Sequence, residues 1–149
     1  MKWSAAVAVP CIVALCVLAG VSVAPAAVNM QEGNWEMTIK VKLEGLPFAM
    51  PPMTVRSTQC ITKKDMVPKT SGKDQKCQIT DQKESGNTVT WKITCTEKDG
   101  STSVGEGTVT YSGNTLAGKI RTTMKDKKGK NASTSTTEMT GKRTGDCAK

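Results

Sequence analysis

Residues 35–44 alternate strictly between apolar and polar side chains, and this pattern restricts the fold more than any other feature of the sequence. A repeat of two residues is that of a β-strand with one buried face and one solvated face. The alternation recurs at residues 88–95 and, more weakly, at 116–124. The chain also contains 21 Thr, a β-branched residue that favours strands over helix interiors. These patterns predict an all-β protein.

Turn sequences separate the alternating segments. The residues Ser-Gly-Asn-Thr occur at 85–88 and again at 112–115, and Gly and Asn supply the positive φ that a hairpin turn needs. A lysine-rich segment at 127–131 predicts a third turn. We therefore predict a single antiparallel sheet of about seven strands, strongly curved or forming a partly open barrel. The predicted strands are residues 33–44, 53–61, 77–84, 88–97, 102–111, 115–125 and 131–142.

The first 26 residues have the pattern of a secretory signal peptide. Lys2 supplies a positive start, an apolar run follows over residues 5–23, and small residues favour a cut after Ala26, with a cut after Ala27 as the alternative. We therefore predict that residues 1–26 are removed and that residues 27–149 form one β domain. The processed protein is expected to have no transmembrane segment, because the apolar run leaves with the signal.

Four cysteines belong to the predicted mature domain. An even number of cysteines in a small secreted chain predicts two disulfides that stabilise the sheet. The gaps between them are too wide for the close Cys pairs that a zinc site requires. The four residues are Cys60, Cys77, Cys95 and Cys147.

Two disulfide pairings are compatible with the sequence. If residues 85–87 form a three-residue loop, Cys77 lies opposite Cys95 on one face of the sheet, which leaves Cys60 to pair with Cys147. Sequential pairing, Cys60 with Cys77 and Cys95 with Cys147, fits equally well, because its first bridge would close the polar segment after the second strand. The residues alone do not decide between them.

The composition excludes several classes of enzyme. The sequence contains no His, so it has no Ser-His-Asp triad, no Cys-His dyad and no His-ligated zinc. Its 13 acidic residues show no spacing that brings two carboxylates together for acid-base catalysis. We therefore predict that the protein is not an enzyme and that it uses no cofactor or metal.

A curved sheet suggests one function, because its concave face can hold a small apolar ligand. The predicted lining residues are the large apolar side chains of the two clearest strands. The same side chains would form the hydrophobic core if that face were filled. They are Trp35, Ile39, Trp91 and Ile93.

The charge suggests an alternative function. The chain carries 21 basic and 13 acidic residues, for a net charge of +8. Four lysines, Lys125, Lys127, Lys128 and Lys130, cluster around one turn, where they would attract an anionic envelope surface. The same lysines would also serve as solvated residues that discourage edge pairing. Nucleic acid is not an expected partner, because aromatic residues for base stacking make up only 3% of the chain.

Seven short motifs follow one another along the chain in a characteristic order and spacing. They are Gly33-Asn34-Trp35-Glu36, Met50-Pro51-Pro52-Met53, Gln59-Cys60-Ile61-Thr62, Cys77-Gln78-Ile79-Thr80, Ser85-Gly86-Asn87-Thr88-Val89-Thr90-Trp91 with Cys95, Thr110-Tyr111-Ser112-Gly113, and Gly141-Lys142-Arg143 with Gly145-Asp146-Cys147. In this order and spacing they resemble one family, the secreted bacterial domain of unknown function DUF3617. The resemblance covers essentially the whole mature chain, and the four-cysteine framework is its specific part. It implies an antiparallel sheet in the periplasm of a Gram-negative bacterium, and it implies no activity.

Overall fold

A computed structural model describes residues 27–68 and 75–148, and it is all-β. The predicted signal peptide lies outside the described residues. The fold class is confirmed, and the ends of each predicted strand agree with the structure to within three residues. The strands are β1 (Gly33–Glu44), β2 (Met53–Ile61), β3 (Gln75–Ser85), β4 (Thr88–Glu97), β5 (Thr102–Ser112), β6 (Thr115–Lys125) and β7 (Asn131–Gly145).

The strands form a single antiparallel sheet in the order β2-β1-β7-β6-β5-β4-β3. Strands β3 to β7 follow one another as a meander, and β1, which pairs with β2 on its other side, completes the sheet by pairing with β7. Strands β2 and β3 are the two edges, so the sheet does not close. Residues 27–68 and 75–148 contain no helix long and apolar enough to cross a bilayer.

The sheet is strongly curved. Val41 of β1 and Gln75 of β3 line the same cleft although four strands separate them. In a flat sheet, with about 4.8 Å between neighbouring strands, they would lie roughly 24 Å apart. Inward-facing glycines make room for this curvature: a Cβ added at Gly107 would lie 2.3 Å from the indole ring of Trp91, and one at Gly141 would lie 2.5 Å from Met37 Sδ.

The hydrophobic core fills one end of the concave face. The Trp35 and Tyr111 rings meet edge to face there, with 5.9 Å between their centroids. Two segments outside the sheet cover this end, residues 27–32 and residues 62–68. The buried apolar side chains are Val28, Met30, Trp35, Met37, Ile61, Met66, Val67, Val89, Trp91, Val109, Tyr111, Leu116, Ile120 and Met139.

The two Ser-Gly-Asn-Thr turns hold the chain together at the core end. The Asn87 carbonyl oxygen accepts a hydrogen bond from the Tyr111 amide at 2.9 Å, and the Asn114 carbonyl oxygen accepts one from the Arg143 amide at 2.8 Å. The Asn87 side-chain oxygen also accepts the Asn29 amide at 3.1 Å. In the second turn, the Gly113 carbonyl oxygen accepts the Gln31 amide at 3.1 Å and the Gly113 amide donates to the Asn29 carbonyl oxygen at 2.9 Å. Each turn therefore anchors both a neighbouring strand and the segment of residues 27–32.

Two disulfides connect the sheet, and they select one of the two pairings that the sequence allows. Cys60 is bonded to Cys147 with 5.4 Å between their Cα atoms, so the end of β2 is joined to the residues after β7. Cys77 is bonded to Cys95 across the β3–β4 ladder, with a Cα separation of 4.0 Å. The sequential pairing does not form.

The three-residue loop on which the Cys77–Cys95 pairing was argued from the sequence does not form. Ser85 pairs with Thr88, so the turn has two residues. A β-bulge between Thr80 and Lys83 supplies the extra residue instead, and Asp81 within it has a φ of 52°. The bulge restores the register that places the β3 and β4 cysteines opposite each other.

Candidate functional site

A cleft of about 440 Å³ occupies the other end of the concave face, beyond the core. It lies where β1, β4 and β6 end and where β5 and β7 begin. Its apolar lining comes from β1, β4 and β6. In each of these strands, apolar side chains occupy positions that face the concave side of the sheet. These residues are Val41, Ile93, Cys95, Ile120 and Met124.

Polar side chains form the remaining wall of the cleft, mostly the hydroxyl groups of Ser and Thr, together with Gln75, Glu97, Lys125 and Asp126. Thr137 pairs with Val41 on one side and with Ile120 on the other, so one row of three side chains crosses the floor. Ser135, one step closer to the mouth, is 7% exposed. Aliphatic and hydroxyl groups side by side suit an apolar molecule that makes a few hydrogen bonds.

The structure brings one of the four predicted ligand-lining residues into the cleft. Ile39 and Ile93 both pack partly buried against the core, and of the two only Ile93 also lines the cleft. Trp35 and Trp91 belong to the core itself and are 0% and 2% exposed. The prediction omitted Ile120, which the weaker alternation over residues 116–124 would have indicated.

Apolar side chains continue the concave face to both edges of the sheet. Val55 of β2 pairs with Ile39, and Ile79 of β3 pairs with Ile93, so all four side chains occupy the face that carries the cleft. Val55 and Ile79 are 53% and 43% exposed. An apolar ligand therefore meets a surface wider than the cleft alone.

A lysine tip borders the mouth of the cleft, and we define it as Lys125, Lys127, Lys128 and Lys130. Lys125 and Asp126 line the cleft directly. The Asp126 Oδ1 atom accepts hydrogen bonds from the Lys128 and Lys130 amides at 2.9 Å each, which fixes the backbone of the turn. Among the described residues, none of the four lysines has a carboxylate within ion-pair distance.

The other carboxylates near the mouth accept hydrogen bonds from their neighbours. Ser101 donates to Asp99 Oδ1 from its hydroxyl at 2.5 Å and from its amide at 2.9 Å. These bonds, with a smaller contribution from the nearby Lys127 ammonium, hold the pKa of Asp99 below its usual range. Gln75 Nε2 donates to Glu97 Oε1. The β4–β5 turn and the lysine tip are neighbours, because Thr102, which follows the turn, pairs with Lys125.

Within residues 27–68 and 75–148, no three side chains of Cys, Asp or Glu converge as a metal site requires. The four cysteine sulfurs are joined in disulfides. That the protein works without a metal or cofactor, and without catalysing a reaction, stays a prediction.

Comparison with known proteins gives one match. A family model described as "Protein of unknown function (DUF3617)" matches residues 30–147, which include all seven strands and all four cysteines of the disulfides. No curated protein and no solved structure matches the chain.

Proposed function

The chain belongs to the DUF3617 family, and we propose that it is a secreted, non-enzymatic binding protein that holds a small apolar ligand in the cleft of its curved sheet. The cleft of about 440 Å³ is the observation that carries this proposal. Small-molecule sites in proteins commonly enclose about 300–1,000 Å³ and combine an apolar lining with a few polar groups.

The two ends of the concave face differ in a way that favours ligand binding. At the core end, Val28 and Met30 from one segment and Met66 and Val67 from another cover the sheet. At the cleft end, the described residues leave aliphatic side chains such as Ile93 facing open space. A ligand that buried this surface would gain about 25 cal/mol per Å² of apolar area removed from water.

The disulfides and the lining chemistry support the other parts of the proposal. Disulfides persist in oxidising compartments, and four cysteines in two bridges are typical of an exported domain. The signal-peptide pattern and the family resemblance favour the periplasm of a Gram-negative bacterium. The floor of the cleft consists of aliphatic and hydroxyl side chains, which suit binding better than acid-base chemistry.

Binding of the neutral apolar dye Nile red tests the proposal. We expect saturable, blue-shifted fluorescence with one dye per chain. Thr137→Phe should abolish it, because Thr137 lies in the row that crosses the floor and a phenyl ring there would fill the cleft. Thr140→Phe is the matched control, since Thr140 is exposed on the opposite face of the same strand. No saturable binding, or equal loss in both variants, would overturn the proposal.

A further inference from the structure

We propose that the ligand is a single-chain amphiphile with an anionic head, whose chain lies in the cleft and whose head is bound by the lysine tip. This inference rests on the proposed function, because it specifies the ligand of the same cleft. It joins two features that are separate in the sequence and adjacent in the structure: an aliphatic floor and a cluster of lysines at its mouth.

The course of β6 connects the two features. Its residues Ile120, Thr122 and Met124 face the cleft in succession, and Lys125 follows at the mouth. From Ile120 to Lys125 the strand rises about 17 Å, at about 3.4 Å per residue. An extended alkyl chain that followed this strand would therefore bring its head group to the lysine tip.

The charges at the mouth favour an anionic head. The lysine tip carries four ammonium groups, and none of them is paired with a described carboxylate. Asp126 is the acid within the turn, and its Oδ1 atom is already bonded to two backbone amides. Asp99, on the neighbouring turn, accepts the Ser101 hydroxyl and amide. These two acids and Glu97 carry three negative charges against the four ammonium groups of the lysine tip, so the net charge of these groups is positive by one, as recognition of a carboxylate or a phosphate requires.

The geometry of the tip also suits this role. Besides the Oδ1 bonds, the Asp126 amide donates to the Lys130 carbonyl oxygen and the Gly129 amide donates to the Asp126 carbonyl oxygen, both at 2.9 Å. The backbone of the turn is thus fixed by hydrogen bonds, while the exposed ammonium groups can adjust to a head group of either kind. A fixed backbone reduces the ordering cost of binding.

Calorimetric titration with ten-carbon amphiphiles tests the inference. Decanoate and decyl phosphate supply the two anionic heads, decyl maltoside a neutral head, and decyltrimethylammonium a cationic head. We expect each anion to bind about tenfold or more tightly than the neutral compound, and the cation to bind most weakly. The difference between anion and neutral compound should shrink as salt is added, because the lysines are exposed.

A triple variant, Lys127→Gln with Lys128→Gln and Lys130→Gln, should lower the affinity for the anions to that for decyl maltoside and leave the neutral compound unaffected. The control is Lys40→Gln with Lys83→Gln and Lys142→Gln, which removes the same charge at exposed positions outside the lysine tip. Equal effects of the two triple variants would overturn the inference.

The outcomes separate this inference from the proposed function. If decyl maltoside and Nile red bind and the anions bind no tighter, the anionic head is excluded and the proposed function stands. If none of these compounds binds, both fail. A third outcome is that Thr137→Phe still binds decyl phosphate, or is still retained on anionic vesicles, whereas the lysine triple variant is not. The lysines would then bind anions without the cleft, and the inference would be overturned.

Discussion

The Tyr111 hydroxyl donates a hydrogen bond to the backbone carbonyl oxygen of Met66, which lies 45 residues earlier in the chain. Tyr111 is fully buried, and Met66 belongs to the connection that covers the core. This bond ties the cover to the sheet. It also satisfies a hydroxyl group that would otherwise be buried without a partner.

Tyr111→Phe is expected to lower the free energy of unfolding at neutral pH by about 1 kcal/mol, because the Met66 carbonyl oxygen loses its donor while the packed ring is kept. Urea unfolding followed by tryptophan fluorescence measures this change. An unchanged midpoint would show that the bond adds nothing.

The same variant should also change the response to alkaline pH. Burial, and to a smaller degree the charge of Asp65, raise the pKa of Tyr111 above its ordinary value of 10.0. The folded state therefore retains the hydroxyl proton of Tyr111 more tightly than the unfolded state does. The stability that this group contributes is complete below pH 10.0 and is lost as the pH rises toward the raised pKa. We expect the free energy of unfolding to fall less steeply above pH 10.0 in Tyr111→Phe than in the unsubstituted protein. Urea unfolding at a series of pH values measures both curves, and parallel curves would contradict the prediction.

Gly107→Ala is expected to lower the free energy of unfolding by about 1–3 kcal/mol through overpacking. A Cβ at this position would lie 2.3 Å from Trp91 Cζ2, inside the curved face, so the ring or the strand must move. Gly145→Ala is the control, since a Cβ there meets nothing within 4 Å and the backbone conformation does not require glycine. Thermal unfolding of both variants checks the prediction, and equal effects would contradict it.

The two disulfides should contribute unequally to stability. In the chain-entropy description, a bridge stabilises more when it closes a longer loop. Cys60–Cys147 spans 87 residues and Cys77–Cys95 spans 18. Replacing both cysteines of a bridge by Ser should cost about 4 to 5 kcal/mol for the first and about 3 kcal/mol for the second.

Peptide mapping under non-reducing conditions checks the pairing itself, and denaturant unfolding of the two double variants checks their order. Recovery of a peptide that joins Cys60 to Cys77 would contradict the structure. A larger loss from the Cys77–Cys95 variant would show that local strand pairing outweighs loop length.

The mature protein is expected to begin at Ala27. Val28, the second residue after the predicted cut, is 6% exposed and packs in the core, and Met30 is 4% exposed. A cut after Val28 would remove a buried side chain, so we expect processing to end before it. Mass spectrometry of the exported protein measures its first residue, and a start beyond Val28 would contradict the prediction.

The strands could be predicted from the sequence because their pattern is local. In β1, Trp35, Met37 and Ile39 alternate with polar residues, and this alternation fixes both the strand and its buried face. The register of β3 was not determined in the same way. Cys77 lies opposite Cys95 only if the chain between them contains one residue more than a regular two-residue hairpin allows. That residue can lie either in the turn or in a bulge, and the local sequence does not decide which.

The site could be predicted only in part. The concave face was expected to bind a ligand through Trp35 and Trp91, but which end of that face is filled depends on the segments that cover it. Those segments, around Val28 and Met66, have no periodic pattern. Their contacts bring together residues far apart in the chain, and such contacts leave no signature in a single sequence.

The position of β7 sets the order in which this protein can be completed during synthesis. Strands β1 and β2 pair with each other early, and β3 to β6 form a meander on their own, but these two units share no ladder until residues 131–145 lie between them. The same strand supplies Ser135 and Thr137 to the cleft. A chain interrupted before residue 131 therefore lacks both the strand that joins these two sets of ladders and the side chains that β7 supplies to the cleft, so the complete site exists only in molecules whose synthesis has reached the last strand.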